Sequence, residues 1–323
     1  MSPAPTPPLR LIFLGTPDFA VPTLETLLAL PQAQVVAVVT APDRPAGRGR
    51  QLHASAVKEA ALARGLPVLQ PTNLKSPDFQ QELRSYAADL QVVVAFRMLP
   101  EAVWAMPRLG SVNIHASLLP QYRGAAPINW ALMHGETQTG VTSFFLQHEI
   151  DTGPLIFQDV TPIAPDDDFG SLYEKLKVAG AALAARTVAA IAAGTAPSIP
   201  QQLSAELRPA PKLSKDTGRL DFSRGAQELV NQVRGLAPVP TACTQLPDGR
   251  GLKVFRAAVA VAPAEATEIP TPPPAAGTWR TDGRHHLRVA TADGWLDLLE
   301  VQLEGKKRMS TAEFLRGTKI NVP

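Results

Sequence analysis

Short apolar runs and amphipathic segments alternate along the first 195 residues of the chain. The run at 9–15 (LRLIFLG) is almost continuously apolar, and Leu24, Leu27 and Leu28 follow it at helical spacing. Apolar strands separated by helices predict an α/β class with a doubly wound, mostly parallel sheet that is covered on both faces. The predicted strands are 9–15, 35–40, 67–70, 90–96, 111–115 and 140–146, and the predicted helices are 23–30, 55–64, 76–88, 125–134 and 169–193.

The pattern changes after residue 195. Segment 196–212 is rich in Pro, Gln and Ser and has no periodicity, which is typical of a linker. A helix is predicted over 226–236, and short strand-like runs with Asp-Gly turn signals follow it, as in a small β-barrel or sandwich. The sequence therefore predicts a catalytic domain, a linker and a C-terminal β domain, with the limits 1–195, 196–212 and 213–323.

Composition and charge narrow the class of protein. The chain has one cysteine, Cys243, which excludes a disulfide scaffold and a Cys-based metal cluster held by this chain alone, and we expect that residue to be buried. No apolar stretch reaches the roughly 18 residues of a membrane span, and the N-terminus lacks the features of a secretory signal, so we expect a cytoplasmic protein. Residues 1–209 have 15 Lys/Arg and 17 Asp/Glu, whereas residues 210–323 have 16 and 12. This mildly basic C-terminal part permits contact with nucleic acid.

Candidate chemistry begins at the end of the predicted strand 111–115. Asn113 and His115 are two residues apart, so their side chains project from the same face of the strand. An amide donor beside an imidazole suits acyl transfer through an oxyanion, and Asp151, in a later Asp-Thr-Gly segment, is suited to orient the histidine. Each residue also has a plainer interpretation, as a hydrogen-bonded polar group at a strand end or as part of a common turn. Spacing alone leaves both interpretations open.

The signatures of several other catalytic classes are missing from the sequence. No G-x-G-x-x-G follows a strand, and there is no P-loop and no G-x-S-x-G elbow. The histidines lack metal-ligand spacing with carboxylates, so we expect no metal.

The segment 113–156, NIHASLLPQYRGAAPINWALMHGETQTGVTSFFLQHEIDTGPLI, resembles the signature of the folate-dependent formyltransferases. The resemblance implies a Rossmann-like domain followed by a small OB-like β-barrel, with 10-formyltetrahydrofolate as co-substrate. In that family the residues that match Asn113, His115 and Asp151 are catalytic. The family's S-L-L-P element lines the folate pocket, and its four residues here are Ser117, Leu118, Leu119 and Pro120.

Other segments narrow the resemblance to the branch that formylates methionyl initiator tRNA. Segment 13–28 resembles the first strand and helix of that branch, and 212–240 and 302–317 resemble the start and end of its C-terminal domain. Segment 40–52, TAPDRPAGRGRQL, resembles an inserted loop that in the family reaches the acceptor end of tRNA. Glycine lets a backbone approach a ligand closely and arginine pairs with phosphate, although a solvated surface turn would have the same composition. The tRNA-binding residues implied in this loop are Arg44, Arg48 and Arg50.

Four alternatives for function remain at this point. The acceptor could instead be an amino sugar nucleotide or glycinamide ribonucleotide, although the inserted loop and the C-terminal domain disfavour the latter. The protein could also be a catalytically silent RNA-binding module or a formyl-folate hydrolase.

The chain departs from the family pattern at 95–100 (AFRMLP), where Arg97 stands in place of a small residue beside the pterin pocket, so the role of Arg97 is open. A monomer is expected, because nothing in the sequence demands more.

Overall fold

A computed structural model of the chain describes residues 7–46, 51–202, 206–260 and 274–320. The described residues form two compact units, and each takes up more than one segment of the chain. Segments 125–137 and 163–172, which the sequence analysis assigned to the first domain, have their contacts mainly in the second unit, and the domain limits stay a prediction. The first unit comprises the described parts of Met1–Gly124, Gln138–Pro162 and Tyr173–Pro209, and the second those of Ala125–Thr137, Ile163–Leu172 and Ala210–Pro323.

The secondary structure follows the predicted alternation and adds elements to it. The strands are β1 (Leu9–Gly15), β2 (Ala33–Val39), β3 (Arg44–Ala46), β4 (Gln51–His53), β5 (Val68–Leu69), β6 (Leu90–Val94), β7 (Ser111–His115), β8 (Gln138–Phe145), β9 (Leu155–Pro162), β10 (Ala242–Gln245), β11 (Gly251–Val259), β12 (Trp279–Thr281), β13 (Leu287–Ala290), β14 (Trp295–Leu303) and β15 (Met309–Ser310). The helices are α1 (Val21–Leu28), α2 (Ala56–Ala63), α3 (Pro77–Ser85), α4 (Glu101–Trp104), α5 (Pro127–Met133), α6 (Phe169–Ala192), α7 (Ala226–Leu236) and α8 (Thr311–Gly317).

The first unit is built on a seven-stranded sheet with the order β5-β2-β1-β6-β7-β8-β9. The five strands from β5 to β7 in this order run parallel, whereas β8 is antiparallel to β7 and β9 is antiparallel to β8. The mostly parallel α/β sheet is therefore confirmed. Strand β9 was not predicted, because side chains along this edge strand alternate between partly buried and exposed positions and the run is not continuously apolar.

Strand β1 is an interior strand of this sheet, between β2 and β6, and is buried on both faces. Ile12 and Leu14 pack in a cluster with Phe79 and Leu83 of α3, and Phe13, on the other face, is fully buried. Burial of each such side chain contributes roughly 1.5–3 kcal/mol. The apolar run at 9–15 thus forms the strand that its composition predicted.

Two helix predictions, those of α2 and α6, agree with the structure, and local hydrogen bonds define where each helix starts. Ser55 caps α2, since its hydroxyl accepts a hydrogen bond from the Lys58 amide at 3.1 Å. At the start of α6, Asp168 Oδ1 accepts one from the Ser171 amide at 2.9 Å. In the ranges that the structure describes, no helix is long and apolar enough to cross a membrane.

The second unit contains an antiparallel sheet with the order β10-β11-β14-β13-β12, and β15 pairs with β14. Helix α7 packs on it through Leu229, Val233 and Leu236, which lie in one buried cluster with Val254 of β11. The antiparallel C-terminal β domain is therefore confirmed, while its closure into a barrel stays a prediction. Cys243, on β10, is only partly buried, so the expectation of a buried cysteine was wrong.

Candidate active site

Strand β7 presents two of the three predicted catalytic residues on one face of the sheet. Ile114 faces helix α6, because a Cβ at Gly180 would lie 3.3 Å from its side chain. Strand alternation therefore turns Asn113 and His115 to the opposite face. Among the described residues the side-chain amide of Asn113 has no hydrogen-bond partner, and the residue is partly exposed. The amide is therefore free to donate to a bound substrate.

The imidazole of His115 is held between a carbonyl and a carboxylate. Its Nε2 lies 2.9 Å from the carbonyl oxygen of Tyr122, and its Nδ1 lies 3.8 Å from Oδ2 of Asp151. Since a carbonyl only accepts, Nε2 carries the hydrogen and donates it. In the neutral ring the lone pair is then on Nδ1, the nitrogen that faces the carboxylate. The structure thus brings His115 and Asp151 together, and both are buried.

The turn that contains Asp151 has a backbone that the sequence alone did not reveal. Asp151 has a φ of 54°, in the left-handed region, and its Oδ2 accepts the amide hydrogen of Gly124 at 2.9 Å. A Cβ at Gly153 would lie 1.7 Å from the carbonyl oxygen of Phe145, so only glycine fits there. Sequence analysis missed the contributions of Tyr122 and Gly124, because both act through backbone atoms that leave no signal in residue type.

The segment predicted as a linker is bound to this turn and to the loop after β7. Ile199 and Leu155 exchange two backbone hydrogen bonds, at 2.7 and 2.9 Å, and Tyr122 donates its amide to the carbonyl of Arg208 at 2.7 Å. Residues 196–202 and 206–209 therefore belong to the first unit.

The S-L-L-P element follows β7 directly, and much of it is bonded within the protein. The Ser117 hydroxyl donates to the carbonyl of Gln121 at 2.7 Å, and Gln158 donates to the carbonyl of Leu119 at 2.8 Å. Ser117 and Leu119 are buried, whereas Leu118 and Pro120 are partly exposed. Contact of this element with folate stays a prediction.

The predicted tRNA loop begins as a two-stranded hairpin, in which β3 pairs with β4 and Arg44 stands opposite His53. Arg44 is exposed, while Arg48 and Arg50 lie outside the described residues. The base of the hairpin is anchored at Asp43. The Lys58 ammonium, at 2.6 Å, and a hydrogen bond from Gln70 hold the pKa of that carboxyl below its ordinary value.

Arg97, where the chain departs from the family pattern, connects the loop after β6 to the loop after β5, and β1 and β2 lie between these two parallel strands in the sheet. Its guanidinium donates to the carbonyls of Pro71 and Thr72, the latter at 3.2 Å, and lies 5.8 Å from the ring centre of Phe96. Burial and the nearby charge of Arg44 lower the pKa of Arg97. The guanidinium is thus engaged with backbone, and nothing in the structure assigns it a role toward folate.

The arrangement offers a free amide donor, an imidazole with one nitrogen available for proton transfer, and a carboxylate beside that nitrogen. Among the described residues, no serine or cysteine is hydrogen-bonded to His115. Within the residues that the structure describes, no three His, Cys, Asp or Glu side chains are grouped so that they could hold a metal ion.

Comparison with known proteins agrees with this chemistry. A family profile described as "Formyl transferase" matches residues 9–188, and one described as "Formyl transferase, C-terminal domain" matches residues 212–319. The chain is 50% identical over 313 residues to the methionyl-tRNA formyltransferase of Bacteroides fragilis, which covers 96% of this chain and 95% of that protein. It is also 50% identical over 322 residues to that of Parabacteroides distasonis, with 96% of each chain covered.

Among solved structures, the N-formyltransferase of Helicobacter canadensis, in complex with folinic acid and dTDP-3-aminofucose, has the same fold. Its TM-score is 0.64 at 17% identity, over 93% of this chain and 100% of that chain. At this identity the likeness concerns the fold alone. The matches to the two family profiles and to relatives of 50% identity show that this chain belongs to the formyl transferase family and, within it, to the methionyl-tRNA formyltransferases.

Proposed function

We propose that the protein transfers the formyl group of 10-formyltetrahydrofolate to the α-amino group of methionyl initiator tRNA, for translation initiation. The observation that carries the proposal is the buried His115–Asp151 pair beside the free amide of Asn113, in a chain that is 50% identical to methionyl-tRNA formyltransferases along 96% of its length. An amino sugar acceptor is not favoured, because the relatives that are 50% identical to this chain are methionyl-tRNA formyltransferases. We place the reaction in the cytoplasm, with a monomer as the active form.

His115 supplies the proton transfers of the reaction. An α-amino group titrates near about 7.7–8.0, so much of it is protonated at neutral pH and must become neutral to attack. The ammonium proton is released to solvent before attack. Nε2 is fixed as a donor by the Tyr122 carbonyl, which leaves Nδ1 to take the second proton, which the amine nitrogen loses after it has attacked the formyl carbon. When N10 of the folate leaves, the same Nδ1–H returns a proton to it, so that the amide product and tetrahydrofolate form without net change on the ring.

Asn113 and the protonated His115 stabilise the charge that develops on the formyl oxygen. Attack of the amine turns this oxygen into an oxyanion, and the free amide hydrogens of Asn113 are available to donate to it. Loss of one such donor typically costs about 3–4 kcal/mol in the transition state. Asp151, 3.8 Å from Nδ1, stabilises the positive ring while it holds the proton. A water between carboxylate and ring would complete this contact.

A single-turnover assay tests the function. The protein is mixed with 10-formyltetrahydrofolate and methionyl initiator tRNA, and His115→Ala is compared with His148→Ala, whose ring is exposed and 4.0 Å from Glu101. We expect formylmethionyl-tRNA from the wild type and His148→Ala, with a loss of at least about 10²-fold in His115→Ala.

Three results would replace this function with another. Folate binding without tRNA product would favour a small amine acceptor such as an amino sugar nucleotide. Formate release without any acceptor would indicate a hydrolase. A flat heat signal on titration with folate, together with tRNA binding, would indicate a silent RNA-binding module.

A further inference from the structure

The two groups that contact His115 both belong to residues with left-handed backbone. Tyr122, whose carbonyl accepts from Nε2, has a φ of 60°, and Asp151 has a φ of 54°. Residues with a Cβ rarely adopt this conformation and keep it only where the surroundings impose it. The position of the imidazole therefore depends on whatever holds these two turns.

Gln201 holds the turn of Asp151 with its side-chain amide. Its Nε2 donates to the carbonyl of Asp151 at 2.9 Å and to that of Gly153 at 2.8 Å. Its Oε1 accepts from Arg123, at 3.2 Å from Nε and 2.5 Å from Nη2. Both amide hydrogens and the amide oxygen are thus used, so the orientation of the group is defined. A carboxylate at this position would keep the arginine but could not donate to the carbonyls.

These contacts join the Asp151 turn to Arg123 and Gly124 by two routes, one through Gln201 and one through the Asp151 carboxylate. Arg123, which fixes Gln201, stands between Tyr122 and Gly124 in the chain, and the Gly124 amide donates to the Asp151 carboxylate at 2.9 Å. Any movement of the Asp151 turn must therefore break contacts to Gln201, to Gly124, or to both.

The chain segment that contains Gln201 also holds the turn of Tyr122. The Tyr122 amide donates to the carbonyl of Arg208 at 2.7 Å. The side chain of Gln121 donates to the carbonyl of Glu206 and accepts from the amide of Arg208, both at 2.9 Å. Residues on both sides of 203–205 thus support the two groups that contact His115.

We propose that Gln201 is a positioning residue for formyl transfer, which acts through Asp151 by holding its carboxylate beside Nδ1 of His115. The expected loss of kcat on substitution of Gln201 rests on the proposed function, whereas the expected shift of the Asp151 turn does not. Because an offset of about 1 Å in a reacting group can reduce a rate by about 10²-fold, loss of the Gln201 contacts is expected to affect turnover more than substrate binding.

The kinetic test compares Gln201→Glu with Gln202→Glu, which makes the same change at the adjacent, exposed glutamine. We expect Gln201→Glu to lower kcat about 10- to 100-fold, with both KM values within about twofold, and Gln202→Glu to behave as the wild type. Gln201→Met removes the donors without adding charge, and it replaces Gln201→Glu if that variant does not fold. In an Asp151→Asn background the Gln201 substitution is expected to cause no further loss, because it acts through that carboxylate.

Hydrogen exchange gives a readout that does not depend on the substrate. Exchange at the Gly124 amide reports whether the Asp151 carboxylate still accepts from it, and we expect faster exchange in Gln201→Glu and Gln201→Met only. Unchanged exchange at Gly124, or an equal loss of kcat with and without the Asp151 carboxylate, would overturn the proposal. Wild-type protein that forms no formylmethionyl-tRNA would contradict the proposed function instead, while the exchange result would still decide the role of Gln201.

Discussion

The carboxylate of Asp151 lies 3.8 Å from Nδ1 of His115, and the opposite nitrogen of the ring donates to the Tyr122 carbonyl. The charge of the aspartate is thus directed at the one ring nitrogen that can exchange protons with a substrate. A neutral turn of the same shape would leave the protonated ring without this stabilisation.

Asp151→Asn is therefore expected to lower kcat by about 10²-fold or more while leaving both KM values within a few-fold. The amide oxygen of Asn can still accept from Gly124, so the turn keeps its hydrogen bond and loses only its charge. Steady-state kinetics with both substrates measure the effect. Activity equal to that of the wild type would exclude a role for the charge.

Asn113→Ala tests the proposed oxyanion donor. Since the amide has no hydrogen-bond partner among the described residues, its removal is expected to leave thermal stability unchanged and to lower kcat about 10²- to 10³-fold. Asn73→Ala, at an exposed position in the same unit, is the control for kcat, and it loses only the hydrogen bond that Asn73 Oδ1 accepts from the Lys75 amide at 2.9 Å. A fall in melting temperature that accounts for the lost activity would indicate a structural role for Asn113.

Arg48→Ala tests the predicted contact with tRNA. We expect the KM for methionyl-tRNA to rise several-fold, kcat to change little, and the slope of log KM against log salt to decrease by about 1. The control is Arg84→Ala, because Arg84 is exposed on α3. The same KM and salt slope in both variants would leave the loop without a role in binding.

Gly153→Ala tests the packing of the Asp-Thr-Gly turn. A Cβ there would lie 1.7 Å from the Phe145 carbonyl oxygen, so the turn must shift and carry Asp151 with it. We expect a loss of about 1–3 kcal/mol in the free energy of unfolding, measured with urea, together with reduced kcat. Gly294→Ala, where a Cβ meets nothing within 4 Å, is expected to change stability by less than about 0.5 kcal/mol. Equal effects of the two variants would contradict the steric explanation.

Glu300→Gln tests an ion pair of the C-terminal unit. Arg308 donates to both carboxylate oxygens, at 2.7 and 2.6 Å, and its guanidinium outweighs burial to lower the pKa of Glu300 from its ordinary value of 4.5. The pair therefore stabilises the fold above pH 4.5, and this stabilisation is lost as pH falls through the lower value of the folded state. Solvent screens the pair, because 40% of the Arg308 side chain is exposed, so we expect a difference of at most about 1 kcal/mol at pH 7.

Urea unfolding of the wild type and Glu300→Gln at pH 7 and at several values below 4.5 measures this difference. Glu82→Gln, at an exposed position on α3, is the control. A difference that grows as pH falls would show that the ionised carboxylate does not stabilise the fold.

The pattern of apolar residues along the chain predicted the strands that are buried because of their own composition. Strands β1 and β7 begin and end at the predicted residues, because apolar side chains fill both or one of their faces. The two-residue period of β7 also placed Asn113 and His115 on one face without knowledge of any other segment. By contrast, β9 was missed because its side chains alternate between partly buried and exposed positions, and β3 and β4 were missed because each is only three residues long and has no continuous apolar run.

The sequence by itself determined the α/β class, the order of most elements, and the residue types able to move a proton and stabilise an oxyanion. Only the tertiary structure decided which nitrogen of His115 is available, because that depends on a backbone carbonyl of Tyr122. It also decided that Gln201, in a segment that reads as a linker, supports Asp151. Periodicity records which side of an element is buried, whereas a hydrogen bond between segments far apart in the chain exists only once the backbone has brought them together.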